Sequence, residues 1–503
     1  MSGSIARDHR DLRRGVAVNG LGYVLKLLPW PLLLLVTHRY GIELFGAFTI
    51  AQATMMLAAR VAAVGLDKAM LWWVPRLPVA ERRRGLRSAL AVTFAAAVVT
   101  TAVVIALASP RVLALLGQPD AIAAPLRIVA LALLPRVWID VLTHAVMGQR
   151  RMEAQVLVNE GLVPVSFPLL ALALHVAGAT VSGLGIAWVL AHALGLGAAR
   201  LAFRRAFVRA TAPVAEPLRP PAELLAYAAP MWIGEVASSC TQRLDTFLVE
   251  LLTHDLALVG AWGVVTSVSN SIRAIRRSFD PIVIAIIAEV GHAGDHRRVH
   301  AGFSYATFLV LCTQMPIFAF VLAFAGDLTP LFGPGFERAT TPIVVLAFAW
   351  QLNGLFGLAG AVVSAYGLAG RTLLAQALVV VVLVTTSVAL VPAHGLVGAA
   401  WSVAAAFTAQ GLFHLVQMRL VTGGFPYDRR IWTVLATGIA ALSVMAIVAW
   451  AWPGGADRLA GRIAAFAAFA LVYGAAVGRM ARVGWLVRGR HTDSPARASQ
   501  HSR

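Results

Sequence analysis

Three arginines lie in an otherwise apolar stretch of the chain, residues 257–290. Polar residues recur there at the spacing of one helix face, which predicts a polar stripe along a membrane helix. The stripe consists of Thr266, Asn270, Arg273, Arg277 and Asp280, with Arg276 beside it. Because a guanidinium group in hydrocarbon is costly, such a stripe is expected to face protein or a water-filled cavity. Two interpretations follow: the arginines mark where a helix leaves the membrane and reach the headgroups, or they form a cationic wall for an anionic substrate.

The composition is that of a polytopic membrane protein. Of 503 residues, 59% are hydrophobic and 13% are charged, with a mean hydropathy of +0.77, whereas about a quarter of a soluble protein is charged. The net charge of +19 does not predict a nucleic-acid partner, because cytoplasmic loops of membrane proteins are enriched in arginine. The two cysteines, Cys240 and Cys312, lie in apolar segments and predict neither a disulfide framework nor a metal site. No cofactor is expected.

About fourteen apolar segments are long enough to cross a bilayer, at roughly 20 residues each. The connections between them alternate in charge: one set, which includes both termini, holds 29 lysines and arginines, and the other holds five. By the positive-inside rule, the basic set and both termini are predicted to be cytoplasmic. The basic N-terminus runs into the first apolar segment without a small-residue cleavage site, which predicts a retained first span.

The chain contains an internal repeat. The paired stretches are residues 115–133 with 331–349, in which Gly117 matches Gly333, and FGAF at residues 45–48 with VGAW at residues 259–262. Each half holds about six spans, an even number, so the two copies are predicted to share one orientation about an axis along the membrane normal. The predicted all-α architecture consists of an N-terminal six-helix lobe (1–212), a C-terminal six-helix lobe (213–422), an additional helix pair (423–487) and a disordered cytoplasmic tail (488–503).

Polar stripes occur on the first two helices of each half. Corresponding helices of a two-fold repeat face one another across the axis, so four such stripes favour a central cavity over hydrogen bonds between packed helices. The candidate substrate-binding residues are Lys26, Arg60, Arg273, Arg276, Arg277, Arg243, Gln52 and Asn270. The candidates for ion or proton coupling are Glu235, Asp245 and Asp140. Asp140 also stands in an i, i+4, i+8 ladder with Arg136 and His144, a pattern more typical of a structural ion pair than of a proton relay.

Several enzyme motifs do not occur in the sequence. It holds no GxxxxGK[ST] loop, no HExxH, no GxSxG, and no acidic pair spaced as DxD or ExD. These absences argue against an ATPase, a hydrolase and a glycosyltransferase that uses a metal-held sugar phosphate. His292, His296 and His300 recur every four residues, but their basic cytoplasmic loop argues against a metal site.

Two stretches carry a family resemblance. Residues 39–77, RYGIELFGAFTIAQATMMLAARVAAVGLDKAMLWWVPRL, resemble the second-helix region of polysaccharide flippases of the Wzx type, where a YG…FG turn opens the helix and GL-D closes it. Residues 276–290, RRSFDPIVIAIIAEV, are similar to the end of their eighth helix. These flippases belong to the multidrug/oligosaccharidyl-lipid/polysaccharide exporter superfamily. The resemblance implies two six-helix lobes in a V shape with two extra helices, alternating access, and a cationic cavity lined by helices one, two, seven and eight.

The resemblance also implies a substrate. In such flippases the cavity arginines are thought to meet the lipid pyrophosphate, a role that Lys26, Arg60, Arg273 and Arg276 match by position and Arg243 matches less well. We expect a flippase, not an enzyme, that moves polyprenyl-pyrophosphate-linked oligosaccharide from the cytoplasmic to the outer leaflet of the bacterial inner membrane for polysaccharide biosynthesis. Its expected partners are the lipid-linked oligosaccharide, membrane lipids, and a glycan polymerase or glycosyltransferases. The alternatives are a cation-coupled multidrug exporter of the same superfamily, a membrane-embedded glycan-synthesis enzyme and a non-transporting scaffold.

Overall fold

The structure is a computed structural model that describes residue 25 and residues 28–76, 79–149, 151–207, 222–292, 295–356, 358–453 and 458–482, with side chains described outside 79–85, 278–292 and 369. This part of the chain is helical and contains no β-strand. The helices before the first long connection are α1 (Pro29–Tyr40), α2 (Ile42–Ala63), α3 (Leu66–Arg76), α4 (Val79–Leu107), α5 (Pro110–Leu115), α6 (Ala123–Ala130), α7 (Leu133–Met147), α8 (Glu153–Val176) and α9 (Gly183–Ala206). The later helices are α10 (Ala222–Thr253), α11 (Leu256–His292), α12 (His296–Leu328), α13 (Thr340–Phe356), α14 (Ala359–Ala365), α15 (Ala369–Thr422), α16 (Arg429–Ala451) and α17 (Leu459–Arg482).

Many of these helices are long and apolar enough to cross a membrane. Within the described residues nine pass by length and composition, or ten if α6 and α7, which meet at 41°, form one bent span. The 54-residue α15 is broken at Gly395, where φ is 56° and ψ is −131°, and this break separates two predicted spans. The polar-striped α10 and α11, of 32 and 37 residues, are long enough to span but are not among the nine. The predicted class, an all-α polytopic membrane protein, is confirmed.

The chain divides into two compact units, each built from separate parts of the sequence. The first comprises Met1–Asn270, Ala325–Ala349 and Gly370–Gln410, as far as these residues are described. The second comprises, with the same restriction, Ser271–Phe324, Trp350–Ala369 and Gly411–Arg503. The lobe boundaries expected near residues 212 and 422 stay a prediction.

The internal repeat recurs in the local backbone. Gly117 and Gly333 both have a positive φ, of 68° and 116°, which glycine adopts without steric cost. A 3₁₀ turn begins three residues after each glycine, at Asp120–Ile122 and Phe336–Ala339. These turns lead directly into α6 and α13. The two copies of the repeat therefore enter equivalent helices through the same kind of turn.

In the first unit, α2 and α11 meet at two glycines. Gly46, in FGAF, lies against the carbonyl group of Leu256, and Gly260, in VGAW, lies against the carbonyl group of Ile42. A Cβ atom at either glycine would overlap the facing carbonyl oxygen. Small residues allow such close approach of membrane helices. Because FGAF and VGAW are equivalent in the repeat, the two copies make this contact with the same position.

Aromatic and aliphatic side chains pack the interior of each unit. In the first unit, Phe48 stacks on Phe167 with 5.2 Å between ring centroids, and Trp188 packs edge-on against both. In the second unit, Phe303 and Phe356 belong to a buried cluster that joins α12, α13, α14 and the end of α15. These cores hold together the helices that carry the charged residues of each unit.

Candidate functional site

The second helix ends at a break that positions a buried carboxylate. Val64 and Gly65, between α2 and α3, have left-handed φ values of 51° and 70°. α10 covers this break: the Trp232 indole Nε1–H donates to the Val61 carbonyl oxygen at 3.1 Å, and a Cβ atom on Gly65 would overlap the α10 backbone. The break starts a new helix and places Asp67, in the first turn of α3, beside the last turn of α2.

Arg60, in that last turn, is shared between two buried carboxylates. Its Nη1 lies 3.1 Å from Oδ2 of Asp67 and 3.5 Å from Oδ2 of Asp140, on α7. Arg136, one turn before Asp140, lies 3.1 Å from both oxygens of that carboxylate and donates to Oδ1 of Asn159 at 3.2 Å. The Asp67 and Asp140 side chains are 2% and 4% exposed, against 25% for Arg60. Buried charges in a membrane protein are expected to pair in this way.

Lys68 extends the charged cluster. In the sequence it is one of the 29 lysines and arginines of the basic connections, which are predicted to be cytoplasmic. In the structure it lies in α3, with Nζ 3.9 Å from Oε1 of Glu235 and 3.5 Å from Nε2 of His144. His144 in turn contacts the carbonyl oxygen of Asp140 through Nδ1, at 2.6 Å. Apolar periodicity did not reveal these contacts, because they depend on the helix break and on the packing of three helices.

A cavity of about 150 Å³ opens beside the cluster, between α2, α7 and α10. Arg60, Arg136 and Arg243 line it, one from each helix. Nη2 of Arg243 lies 2.8 Å from Sδ of Met56, so this arginine has a neutral neighbour on α2. Among the described lining residues, Glu235 supplies the one carboxylate. The remaining lining residues are Ala59, Ser239 and Gln242.

The arrangement of charges suits an anion. Asp67 and Asp140 lie behind the arginines and fix the positions of Arg60 and Arg136. Each guanidinium carries five N–H donors in a planar fork, so one that is held by a carboxylate still has donors for a second oxygen ligand. Such forks bind the oxygens of phosphate groups in pairs. Arg243 adds a third fork to the same cavity.

In the second unit, Arg273 lies against an aromatic ring. Its Cζ is 4.6 Å from the centroid of the Trp350 ring, a distance at which the ring face attracts the cation. Beside it, the Gln314 amide donates to the Ile272 carbonyl oxygen at 3.0 Å and ties α12 to α11. The other two arginines of the opening stretch differ in burial, since Arg276 is half-buried and Arg277 is exposed.

The other predicted residues that the structure describes in the first unit do not line this cavity. Gln52 and Asp245 are half-buried and Asn270 is exposed, all three in the first unit. The Asp245 carboxylate accepts a hydrogen bond at 2.8 Å from the backbone N–H of the residue that follows it. Lys26 lies outside the described residues. The structure thus brings two of the predicted cations and one predicted coupling carboxylate to one cavity, with Asp140 directly behind it, while the roles of these residues stay predictions.

Similar solved structures give the class of this fold. One, titled "Lipid II flippase MurJ, inward closed conformation", matches with a TM-score of 0.74 and 11% identity, over 94% of this chain and 99% of that one. An inward-facing multidrug resistance MATE family transporter of the MOP superfamily matches with a TM-score of 0.64 and 12% identity, over 79% and 94% of the two chains. An outward-facing MATE transporter matches with a TM-score of 0.58 and 14% identity, over 81% and 95%. At these identities the likeness shows the fold alone: a multi-pass membrane protein with the MurJ- and MATE-like fold.

A family model specifies the class further. The model described as "Polysaccharide biosynthesis protein" matches residues 12–287, which is more than half of the chain. The chain belongs to the polysaccharide biosynthesis protein family. No curated protein sequence matches it significantly. Family and fold together confirm the resemblance to polysaccharide flippases of the exporter superfamily that residues 39–77 and 276–290 predicted.

Proposed function

We propose that this protein is a flippase that moves a polyprenyl-pyrophosphate-linked oligosaccharide from the cytoplasmic to the outer leaflet, by alternating access, for polysaccharide biosynthesis. Membership of the polysaccharide biosynthesis family and the transporter fold support this proposal. Both also favour transport over catalysis, because the family and the fold are those of transporters and flippases. The bacterial inner membrane, with both termini cytoplasmic, is the location that the alternating arginines favour.

The observation that carries the proposal is the cavity lined by Arg60, Arg136 and Arg243. A cation-coupled drug exporter would require carboxylates that face its substrate. Among the described lining residues here, the one carboxylate, Glu235, faces three arginines, and Asp67 and Asp140 behind them are neutralised by arginines. A pyrophosphate carries two or more negative charges, which guanidinium forks bind bidentately. The lining therefore fits an anionic lipid headgroup better than a cationic drug.

Binding would proceed as an exchange of ion pairs. Pyrophosphate first meets Arg243, whose contact on α2 is the neutral Met56. It then competes with Asp140 for Arg60 and Arg136, which that carboxylate bridges. Competition of this kind keeps binding weak enough for release on the other side of the membrane. Asp140, Glu235 and Asp245 are the candidates for ion or proton coupling, and of these Glu235 lines the cavity itself.

Further predicted residues remain candidates for contact with the substrate. Arg273, Arg276 and Arg277 are candidates for a further pyrophosphate contact, as are Lys26, Gln52 and Asn270. The partners that this function requires are the lipid-linked oligosaccharide and the surrounding lipids, with a glycan polymerase or glycosyltransferases acting before or after the transfer.

A deletion strain tests the proposed function. Loss of the protein is expected to leave lipid-linked oligosaccharide in the cytoplasmic leaflet and to reduce surface polysaccharide, and a plasmid copy should restore both. Unchanged polysaccharide together with increased sensitivity to cationic dyes would contradict the proposal and favour the multidrug exporter. Unchanged polysaccharide together with unchanged sensitivity to cationic dyes would favour a non-transporting scaffold.

Variants of the cavity test its assigned role. Arg243→Gln is expected to weaken substrate binding about tenfold or more, because a hydrogen bond to a charged group is worth roughly 1.5–3 kcal/mol. Polysaccharide export is measured for each variant and divided by the amount of protein in the membrane. Arg338→Gln is the matched control, since Arg338 is exposed in a 3₁₀ turn and does not line this cavity. Full export by both Arg243→Gln and Arg243→Glu would contradict the assignment.

A further inference from the structure

A second cavity, of about 530 Å³, lies in the first unit between α4, α7 and α9. It shares no lining residue with the arginine cavity on α2, α7 and α10. Its wall combines three arginines, three aromatic rings and three leucines: Arg87, Arg200, Arg204, Trp138, Phe203, Phe207, Leu86, Leu90 and Leu142. No carboxylate occurs among these described lining residues. The cavity is therefore both cationic and apolar.

Aromatic contacts hold one arginine and the cavity wall in place. Cζ of Arg200 lies 5.1 Å from the centroid of the Trp138 ring. The Trp138 indole N–H donates to the Leu90 carbonyl oxygen at 3.3 Å, which ties α7 to α4. Phe203 and Phe207 stack at 4.3 Å between centroids along the end of α9. A guanidinium stacked on a ring keeps its N–H edge directed outwards, where it is able to meet an anion.

The surface beyond the arginines is apolar on both flanking helices. On α4, Phe94 follows Leu90 at helical spacing and is 46% exposed. On α9, Gly197 and Ala193 precede Arg200 at the same spacing, and both are exposed. No side chain or neighbouring helix lies within 4 Å of where a Cβ atom on Gly197 would be, so the space beside α9 is open there. The cavity and the surface beside it therefore have a cationic end, which suits an anionic headgroup, and an apolar part, which suits an acyl chain.

The position of the arginines indicates which leaflet of the membrane the bound lipid would come from. Arg87 precedes most of the apolar part of α4 and Arg204 lies in the last turn of α9, so both mark the same membrane face. The loop arginines predict that this face is cytoplasmic. Basic pockets between membrane helices on the cytoplasmic side bind the headgroups of anionic lipids. We propose that this cavity binds one anionic glycerophospholipid, with its phosphate between Arg87, Arg200 and Arg204 and an acyl chain along Phe94 and Gly197.

An arginine that merely reaches the headgroup region is the simpler explanation for each residue taken alone. The chain offers such a case as a control. Arg76 lies 4.1 Å from the centroid of the Trp72 ring, at the end of α3, without lining the cavity. Two helices direct three arginines into one cavity in the proposed site, whereas Arg76 forms a cation–aromatic pair outside it. Only the proposed site should retain a lipid selectively.

Native mass spectrometry of the purified full chain tests the site. The protein is mixed in detergent with equal amounts of phosphatidylglycerol and phosphatidylcholine that carry the same acyl chains, and the retained lipids are counted. The wild-type chain is expected to retain one phosphatidylglycerol with about tenfold or greater preference. Arg200→Gln/Arg204→Gln should lose this preference, and Arg76→Gln should keep it.

A further variant separates the site from general loss of folding. Gly197→Leu keeps every charge and fills the open space beside α9 where the acyl chain is proposed to lie, and it should reduce lipid retention without lowering the apparent melting temperature. Equal retention of phosphatidylglycerol by the wild type and the double arginine variant would overturn the proposal. If glycerol 3-phosphate displaced phosphatidylglycerol at equal concentration, the site would bind a free phosphate and the proposal of a lipid ligand would be wrong. Displacement by a tenfold lower amount of a polyprenyl phosphate would overturn it in favour of the carrier lipid.

Discussion

Arg60 and Asp67 lie seven residues apart in the sequence, and Nη1 of the arginine is 3.1 Å from Oδ2 of the aspartate. In a continuous helix, residues seven apart share a face but stand two turns from each other. Here the left-handed Val64 and Gly65 end one helix and start the next. The break thus brings two residues that would otherwise stand two turns apart into a direct ion pair. Trp232 of α10 covers this break.

The first prediction concerns the stability of this cluster. Asp140→Asn should destabilise the protein by roughly 1.5–3 kcal/mol, because Arg60 and Arg136 lose their shared buried carboxylate, although Arg60 keeps Asp67 and Arg136 keeps Asn159. Glu235→Gln should cost at most about 1 kcal/mol, since its 3.9 Å pair with Lys68 is partly exposed. Apparent melting temperatures of the purified variants are compared. Equal effects of the two substitutions would show that Asp140 does not hold the cluster together.

The second prediction concerns the glycine contact between α2 and α11. Gly46→Ala and Gly260→Ala should each lower stability by about 1–3 kcal/mol, the usual cost of overpacking, because the added methyl group meets a backbone carbonyl. Gly234→Ala is the matched control, since no atom lies within 4 Å of its Cβ position. Melting temperatures and protein amounts in the membrane measure the effect. Wild-type behaviour of all three variants would mean that α2 and α11 do not approach so closely.

Hydropathy and arginine alternation were enough to predict a polytopic all-α protein, because membrane helices must satisfy their own backbone hydrogen bonds. The ion pair of Arg136 with Asp140 was also predictable, since the two residues stand one helical turn apart. The contact of Arg60 with Asp140 was not, because it joins α2 to α7 through tertiary packing. Lys68 was missed for the same reason, since its partners lie on α7 and α10.

The third prediction concerns topology. Single cysteines at Thr180 and His394, both exposed, should react with an impermeant thiol reagent applied from outside the cell. Cysteines at Arg151 and Arg298, exposed at the predicted cytoplasmic face, should react only after the membrane is permeabilised. The native Cys240 and Cys312 are first replaced by serine or alanine. The reverse labelling pattern would show that the predicted topology, with both termini cytoplasmic, is wrong.

The last prediction concerns Arg273, whose guanidinium lies 4.6 Å from the centroid of the Trp350 ring. If Arg273 contacts pyrophosphate, Arg273→Glu should abolish most polysaccharide export, and Arg273→Lys should restore only part of it, because lysine keeps the charge but loses the fork. Arg419→Gln is a matched control, since Arg419 lies 4.3 Å from the Phe425 ring centroid in a comparable cation–aromatic pair. Export is normalised to the protein present in the membrane. If Arg273 only reaches the headgroups, lysine should substitute fully and glutamine should cost little. Wild-type export by Arg273→Glu at normal protein levels would therefore remove Arg273 from the substrate pathway, and it would leave Arg276, Arg277 and the cavity of Arg60, Arg136 and Arg243 as the arginine candidates among the described residues.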